Sequence, residues 1–310
     1  MELTPYYYKA YGLSIASEIP LPPLKITAPT TVDLTIRRKQ LPESPPLEST
    51  KIYRAGLNAR FAQRGLDRLW LNWSPLISFM ALKGEELLVD TTQTDEDLVS
   101  LFTLSEALGL ILFQKGYFLL HGSAVRIGDK GVVFLGEPGA GKSTTVAACA
   151  QKGYTVISDD MVCIQVNEEG NLLLIPAFPQ IKIWQHAVDG LQLHQEKMAP
   201  VREGVDKFSW HDSITFEENA VPLTGIFVLF PPNEPGSTTD PIPASQVPVE
   251  LLRHFPLADA LLNGKSLKDY FKKSAAIAQT IPLFRVSRPA NFTALYEFVA
   301  HLKLTYCHER

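Results

Sequence analysis

A glycine-rich stretch between residues 131 and 144 carries the residues best suited to chemistry. It fits the phosphate-loop pattern G-x-x-x-x-G-K-[ST] through Gly136, Gly141, Lys142 and Ser143. Glycines leave backbone N–H groups free to surround phosphate oxygens, and a helix that begins after the loop adds positive partial charge. In this pattern the lysine reaches the β- and γ-phosphates and the hydroxyl serves Mg²⁺. The expected nucleotide-binding residues are Gly136, Glu137, Pro138, Gly139, Ala140, Gly141, Lys142, Ser143 and Thr144.

Two adjacent carboxylates follow the next short apolar run. Asp159 and Asp160 come directly after Tyr154–Ser158, 17 residues beyond Lys142. In an open α/β sheet the ends of neighbouring parallel strands face one crevice, where a Walker-B-type Asp holds Mg²⁺. The pair therefore predicts a site in which one carboxylate holds the metal and the other accepts a hydroxyl proton, as a kinase requires. The alternative is a surface turn that happens to contain two acids.

Three further side chains are candidates for the same site. His121 lies early on a predicted strand whose hairpin turn leads into the glycine-rich stretch, so antiparallel pairing predicts that it approaches residues 137–139. A purely structural role for this histidine is the alternative. Two alternatives stay open for Lys182, a cation among apolar residues: it faces the phosphates, or it extends to the surface. Arg202 stands in a basic, glycine-containing stretch that predicts either a charge clamp for a transferring phosphoryl group or a solvated loop.

The first part of the chain is expected to be mostly β. Residues 1–93 contain strand-length runs of aromatic and branched residues, such as Tyr6–Ile15, between clusters of Pro, Gly, Ser and Asn. The proline-rich stretch 40–50 predicts a loop. A capped helix is then expected to begin at Thr94 and to end near Gly116.

The rest of the chain predicts an α/β core around the candidate residues. Hairpins are expected over 118–135 and 161–177, with a helix over 144–152 between them, and residues 185–219 are expected to form a polar segment. The predicted domains are a β-rich domain over residues 1–93, with substrate recognition as one candidate role, and an α/β domain over residues 94–310.

Composition argues against several classes of protein. The chain has 310 residues, 45 % apolar and 20 % charged, which suits a soluble globular protein of one large or two ordinary domains. The net charge of −4 gives no global reason to bind nucleic acid or an anionic membrane, and no apolar run is long enough to span a bilayer. No signal peptide is visible, and Cys149, Cys163 and Cys307 form no C-x-x-C motif. Reduced thiols in a cytoplasmic protein are expected, with Cys149 and Cys163 as core residues.

The ordered set of motifs resembles the HPr kinase/phosphorylase superfamily. The set is His121-Gly122, then Gly136-x-x-Gly139-x-Gly141-Lys142-Ser143, then Ser158-Asp159-Asp160. The resemblance implies a phosphate-loop kinase core, related to phosphoenolpyruvate carboxykinase, that transfers phosphate from ATP with Mg²⁺ to a serine hydroxyl. By that resemblance Asp159 is the base and His121 assists it. Asp160 binds Mg²⁺ together with Ser143, and Lys142 holds the phosphates.

Softer motifs resemble the HPr-kinase-like proteins of ribosomal peptide biosynthesis. They are Tyr11-Gly12-Leu13-x-Ile15-x-Ser17-Glu18-Ile19-Pro20-Leu21-Pro22 and Leu120-His121-Gly122-Ser123-Ala124-Val125. That group includes tailoring kinases of lasso peptides, which phosphorylate a serine of a precursor peptide. Pro138 stands where the bacterial HPr enzymes usually carry Ser, and residues 1–93 do not resemble their N-terminal domain. The resemblance therefore points away from HPr itself as the substrate.

The leading expectation is an ATP- and Mg²⁺-dependent kinase that acts on a Ser or Thr hydroxyl of a peptide or small protein. The nucleotide and this acceptor are the expected partners, with no nucleic acid and no membrane, and a homo-oligomer is compatible with the sequence. Two alternatives stay open. One is a kinase of a small hydroxylated metabolite, and the other is a nucleotide-binding regulator without transfer activity.

Overall fold

A computed structural model describes residues 5–201, 205–211, 214–233 and 235–306. The chain divides into two compact units, of which the first comprises Met1–Leu119 with Phe255–Tyr270 and the second Leu120–His254 with Phe271–Arg310. The domain boundary expected between residues 93 and 94 concerns domains that fold independently, and it stays a prediction. Within the described ranges, no helix combines the length and the apolar character needed to cross a membrane.

The first unit is built on an eight-stranded sheet. Its strands are β1 (Tyr6–Ala10), β2 (Leu13–Ser17), β3 (Leu34–Arg38), β4 (Glu48–Arg54), β5 (Leu57–Arg64), β6 (Arg68–Trp73), β7 (Ile77–Leu82) and β8 (Glu86–Asp90). Their spatial order is β1-β2-β3-β8-β7-β6-β5-β4, and β3 runs parallel to both of its neighbours. The β-rich character expected of the N-terminal region is therefore confirmed.

Two details of this sheet differ from the expectation. The run from Tyr6 to Ile15 forms two strands, because Tyr11 and Gly12 adopt φ values of 51° and 72° and turn the chain back on itself. Strand β4 begins inside the stretch 40–50 that was expected to be a loop, and it pairs with β5 at the edge of the sheet. The prolines of that stretch all precede the strand, so they do not interrupt its hydrogen bonds.

The helical segment after the sheet begins at a different cap from the one expected. Asp95, rather than Thr94, is the N-cap, since its carboxylate accepts a hydrogen bond of 3.0 Å from the backbone N–H of Leu98. The segment consists of α1 (Glu96–Phe102), a π-helical turn (Thr103–Ala107) and α2 (Leu108–Gln114). Its backbone leaves helical geometry at Ser105, and Gly116 follows with a φ of 83° at the expected end.

The second unit is built on a mixed eight-stranded sheet with a separate three-stranded sheet. The strands in chain order are β9 (Phe118–Ile127), β10 (Lys130–Leu135), β11 (Thr155–Ser158), β12 (Met161–Val166), β13 (Leu172–Ile175), β14 (Ile181–Trp184), β15 (Met198–Pro200), β16 (Lys207–Trp210), β17 (Val221–Leu229), β18 (Thr238–Pro241) and β19 (Leu283–Ser287). The large sheet has the order β10-β9-β12-β13-β17-β19-β18. Two further pairings join β11 to β9 and β10 to β17. The small sheet has the order β14-β16-β15.

Both expected hairpins are present. Strands β9 and β10 pair antiparallel up to Gly122 and Leu135, and β12 pairs with β13 up to Cys163 and Ile175. The segment 185–219 is more ordered than expected, because β15 and β16 pair there and a short helix follows β14.

In the described part of the chain, five further α-helices follow β10, and the first part of α6, up to Tyr270, belongs to the first unit. They are α3 (Lys142–Gln151), α4 (Gln185–Gly190), α5 (Val247–Arg253), α6 (Gly264–Thr280) and α7 (Phe292–Tyr306). Val146 and Cys149 of α3 belong to one apolar cluster with Phe134 of β10, Phe227 of β17 and Leu295 of α7. Cys149 and Cys163 are fully buried, as expected of core residues, and burial raises the pKa of both thiols. Cys307 lies outside the described residues.

Candidate functional site

Residues 136–143, here called the glycine loop, connect the end of β10 to the start of α3. Gly136 has a φ of 147°, and a Cβ atom there would lie 2.5 Å from the carbonyl oxygen of Leu229. Gly141 is the N-cap of α3, with a φ of 91°. Both positions therefore require glycine. Since α3 begins at Lys142, within the loop, the N–H groups of its first turn give this end a positive potential that favours anions.

The side chain of Lys142 folds back over the glycine loop. Its Nζ donates a hydrogen bond of 2.7 Å to the carbonyl oxygen of Gly136 and lies 3.4 Å from that of Glu137. Burial lowers the pKa of Lys142, while the charges of Asp160 and Asp159 act in the opposite direction. Neutral carbonyl oxygens thus hold a partly buried ammonium group over the loop, where an anionic phosphate would be a stronger hydrogen-bond partner.

Three donors converge on the carboxylate of Asp159. Its Oδ1 accepts hydrogen bonds from the hydroxyls of Ser123 (2.6 Å) and Ser143 (3.0 Å), and its Oδ2 accepts one from the backbone N–H of Lys182 (2.9 Å). The pKa of Asp159 is nevertheless raised, because burial and the charge of Asp160 outweigh these hydrogen bonds. The carboxylate is therefore fixed in position, and its pKa is moved toward the range in which a general base works.

Asp160 is paired with Lys182. Its φ of 69° lies in the left-handed region, which Asp adopts more readily than most residues. Its Oδ2 lies 2.8 Å from the Nζ of Lys182. Lys182 is only 9 % exposed, so its side chain does not extend into solvent. One residue thus contacts both carboxylates, Asp159 through its backbone N–H and Asp160 through its ammonium group.

Strand β10 leads into the glycine loop and β11 leads into the two carboxylates. The two strands were expected to be direct neighbours, but β9 lies between them. Both are antiparallel to β9, so they run in the same direction and end at the same edge. Ser123 is on this intervening strand, opposite Phe134 of β10, and its neighbour Ala124 is opposite Ser158 of β11. The position of Ser123 therefore explains how its hydroxyl reaches Asp159.

His121 lies at the edge of the glycine loop. The ladder between β9 and β10 ends with the pair Gly122 and Leu135, which places His121 beside Gly136, one residue short of the expected stretch 137–139. Alternation along β9 puts the side chain of His121 on the same face as that of Ser123. The backbone N–H of His121 donates a hydrogen bond of 2.6 Å to the carbonyl oxygen of His254.

Of the cations in the basic stretch 202–207, the structure describes Lys207. Arg202 is outside the described residues. Lys207, from the same basic stretch, begins β16 opposite Trp184. Its charge acts on both Lys142 and Asp159, so it adds to the positive potential of the site. Lys207 is part of the basic stretch 202–207, but the pattern of that stretch alone does not indicate which of its cations approaches the carboxylates.

The oxygen groups of the site suit Mg²⁺ bound together with a nucleotide. The Ser143 hydroxyl and the carboxylates of Asp159 and Asp160 are hard oxygen ligands, and Mg²⁺ commonly takes one or two carboxylates plus substrate phosphates. Within the described ranges, no cluster of three or more His, Cys, Asp and Glu residues forms a protein-only metal cage. The hydrogen bond of Ser143 goes to Asp159, whereas the resemblance paired Ser143 with Asp160 as the ligands of Mg²⁺.

Comparisons with known proteins connect part of the chain to HPr kinases. A segment of 69 residues is 36 % identical to the HPr kinase/phosphorylase of Mycoplasmopsis pulmonis (strain UAB CTIP). It covers 21 % of this chain and 22 % of that protein, so the chain matches about a fifth of the relative's length. The structure of the Hpr(Ser) kinase/phosphatase from Coxiella burnetii is similar at 14 % identity and a TM-score of 0.33, over 60 % of this chain and 97 % of that chain. No family model matches the chain. The matched segment indicates similarity to HPr kinase/phosphorylase.

Proposed function

We propose that this chain is an ATP- and Mg²⁺-dependent kinase that phosphorylates a Ser or Thr hydroxyl of a peptide or small protein, with a ribosomal precursor peptide as the candidate acceptor. The observation that carries the proposal is the position of Asp159. It is a partly buried carboxylate of raised pKa, hydrogen-bonded to the serine of a glycine loop that opens a helix. The segment similar to HPr kinase/phosphorylase supports the same chemistry.

In this proposal the glycine loop holds the donor nucleotide. The backbone N–H groups of residues 136–143 surround the phosphates, and Lys142 exchanges its carbonyl partners for phosphate oxygens. Lys182, and Arg202 from the basic stretch, serve as clamps for the charge of the transferring group. When bound, Mg²⁺ neutralises charge on the β- and γ-phosphates, and Ser143 and Asp160 are the residues proposed to hold it.

Asp159 is the proposed base for the acceptor hydroxyl. The proton of that hydroxyl moves to the carboxylate, the hydroxyl oxygen forms a bond to the γ-phosphorus, and the bond between the γ-phosphorus and the ADP oxygen breaks. The hydrogen bonds from Ser123 and Ser143 fix the direction in which the carboxylate points. His121, on the same strand face as Ser123, is proposed to assist at the acceptor side.

An acceptor screen tests the proposal. The purified chain would be incubated with ATP and Mg²⁺ and with peptides encoded beside its gene, in parallel with a set of hydroxylated metabolites. Mass spectrometry is expected to find phosphate on a Ser or Thr of a peptide, and the transfer is expected to disappear in Asp159→Asn. Phosphate on a metabolite would support the metabolite kinase instead. ATP hydrolysis with no acceptor ever labelled would contradict both and favour the regulator.

A further inference from the structure

Arg288 lies against the glycine loop. Strands β10, β17 and β19 are parallel neighbours, so their carboxyl ends lie at the same edge of the sheet. The glycine loop follows β10, and Arg288 follows β19 by one residue. A Cβ atom on Gly141 would lie 2.8 Å from Nη2 of Arg288. The guanidinium group therefore occupies the space that the missing side chain of Gly141 leaves open.

The charge of Arg288 is buried, and no carboxylate in the part of the chain that the structure describes is paired with it. Arg288 is 6 % exposed. Burial lowers the pKa of its guanidinium group, and no carboxylate among the described residues raises that pKa again. Across residues 5–201, 205–211, 214–233 and 235–306, no hydrogen bond or ion pair holds its guanidinium group. Arginine is seldom buried unless it is paired, because an unpaired charge loses its hydration without compensation.

Arg285, on strand β19 just before Arg288, shows the ordinary arrangement. Its side chain is 42 % exposed, and its Nη2 donates a hydrogen bond of 3.1 Å to Gln246 and lies 3.9 Å from the carboxylate of Glu250. The two arginines are three residues apart and differ in both exposure and pairing. Among the described residues, the pairing found for Arg285 is therefore absent for Arg288, which lies beside the glycine loop.

We propose that Arg288 binds a phosphate group of the nucleotide that the glycine loop holds. This inference rests on the proposed function, because it takes a nucleotide phosphate as the ligand. Phosphate supplies the missing anion, and the planar guanidinium group donates two parallel hydrogen bonds to phosphate oxygens. The N-terminus of α3 and the loop N–H groups favour an anion at the same place. Gly141 then has a second role, since it leaves room for the guanidinium group.

The variant Arg288→Met removes the charge and keeps most of the side-chain volume. The proposal expects two effects of opposite direction. The melting temperature of the nucleotide-free protein stays equal or rises, because an uncompensated buried charge is gone. Affinity for ATP falls by about 10-fold to 100-fold, the usual range for a hydrogen bond to a charged group. A merely structural arginine would give the reverse, a lower melting temperature and unchanged affinity.

Calorimetric titration with ATP and with inorganic tripolyphosphate, both with Mg²⁺, identifies the part of the nucleotide that Arg288 contacts. Arg288→Met is expected to weaken both ligands by the same factor, Arg288→Lys by a smaller one, and Arg285→Ala neither. Weaker binding of ATP alone would overturn the proposal in favour of contact with the base or ribose. Unchanged binding of both ligands would also overturn it. If the wild-type chain binds neither ligand, the proposed function itself fails.

Discussion

The hydroxyl of Ser143 donates a hydrogen bond to Asp159, with 3.0 Å between Oγ and Oδ1, across 16 residues of chain. Ser143 lies in the first turn of α3, and Asp159 follows β11. The bond therefore fixes the helix that opens from the glycine loop against the end of the strand that carries the carboxylates. Any group bound in the loop lies next to the proposed base, so substitutions at one of them are expected to be felt at the other.

Replacement of the proposed base should separate binding from chemistry. Asp159→Asn keeps the shape of the side chain but cannot accept the hydroxyl proton, so phosphoryl transfer is expected to fall by about 10²-fold to 10⁴-fold. ATP binding should be largely retained, because the glycine loop is intact. Single-turnover transfer and calorimetric titration measure the two quantities. Asp129→Asn, in the exposed turn between β9 and β10, is the matched control, and wild-type transfer by Asp159→Asn would refute the assignment.

Loss of the Ser123 hydroxyl should change the pH dependence of the rate. The pKa of Asp159 is raised by burial and by Asp160, and the hydrogen bond from Ser123 opposes that rise. Ser123→Ala removes the opposing contribution, so the pKa rises further and the acidic limb of the kcat/KM profile moves to higher pH. Activity is then lost more in acid than in alkali. Ser123→Thr, which keeps the hydroxyl, should restore the profile, and an equal loss at every pH would argue against the prediction.

The ion pair between Lys182 and Asp160 should be measurable by a double-mutant cycle. Lys182→Met leaves the carboxylate without its partner at 2.8 Å. Since the side chain of Asp160 is 31 % exposed, we expect a loss of about 1–3 kcal/mol in the free energy of unfolding, less than for a fully buried pair. Adding Asp160→Asn should recover part of the loss. Urea denaturation gives the four values, and strictly additive effects would mean that the pair contributes nothing.

Two glycines of the loop should respond differently to alanine. Gly136 and Gly139 both have positive φ, 147° and 88°, so a side chain strains the backbone at either position by about 1–3 kcal/mol. A Cβ atom on Gly136 would also lie 2.5 Å from the carbonyl oxygen of Leu229, whereas nothing lies within 4 Å at Gly139. Gly136→Ala should therefore lower the denaturation midpoint more than Gly139→Ala. If both variants lowered the denaturation midpoint equally, the close contact between the new Cβ atom and Leu229 would contribute nothing to the loss of stability.

Local signals in the sequence predicted the elements around the site correctly. The hairpin of β9 and β10, the helix after the glycine loop and the apolar run before Asp159 each depend on neighbouring residues alone, through turn chemistry and apolar periodicity. The helix was expected over 144–152 and begins two residues earlier, at Lys142. Thr94 and Asp95 are both good N-caps, so the choice between them depends on which side chain reaches the N–H of Leu98.

Contacts between residues on different strands could not be predicted from such local signals. The insertion of β9 between β10 and β11 depends on long-range pairing, and without it Ser123 has no visible connection to Asp159. Arg288 is a still clearer case. No spacing relates it to Gly141, and only the parallel pairing of β17 with β19 brings the two residues together.

The long chain separation of Arg288 from the glycine loop has a consequence for folding. Bringing Ser143 and Asp159 together closes a chain segment of 16 residues. The lost chain entropy costs about 2 kcal/mol less free energy than for the longer segment from Gly141 to Arg288. During synthesis the carboxylate cluster is complete in sequence well before β19 leaves the ribosome. On the proposed role of Arg288, the phosphate site gains this cation only when β19 docks, so tight nucleotide binding is expected to depend on the docking of that strand.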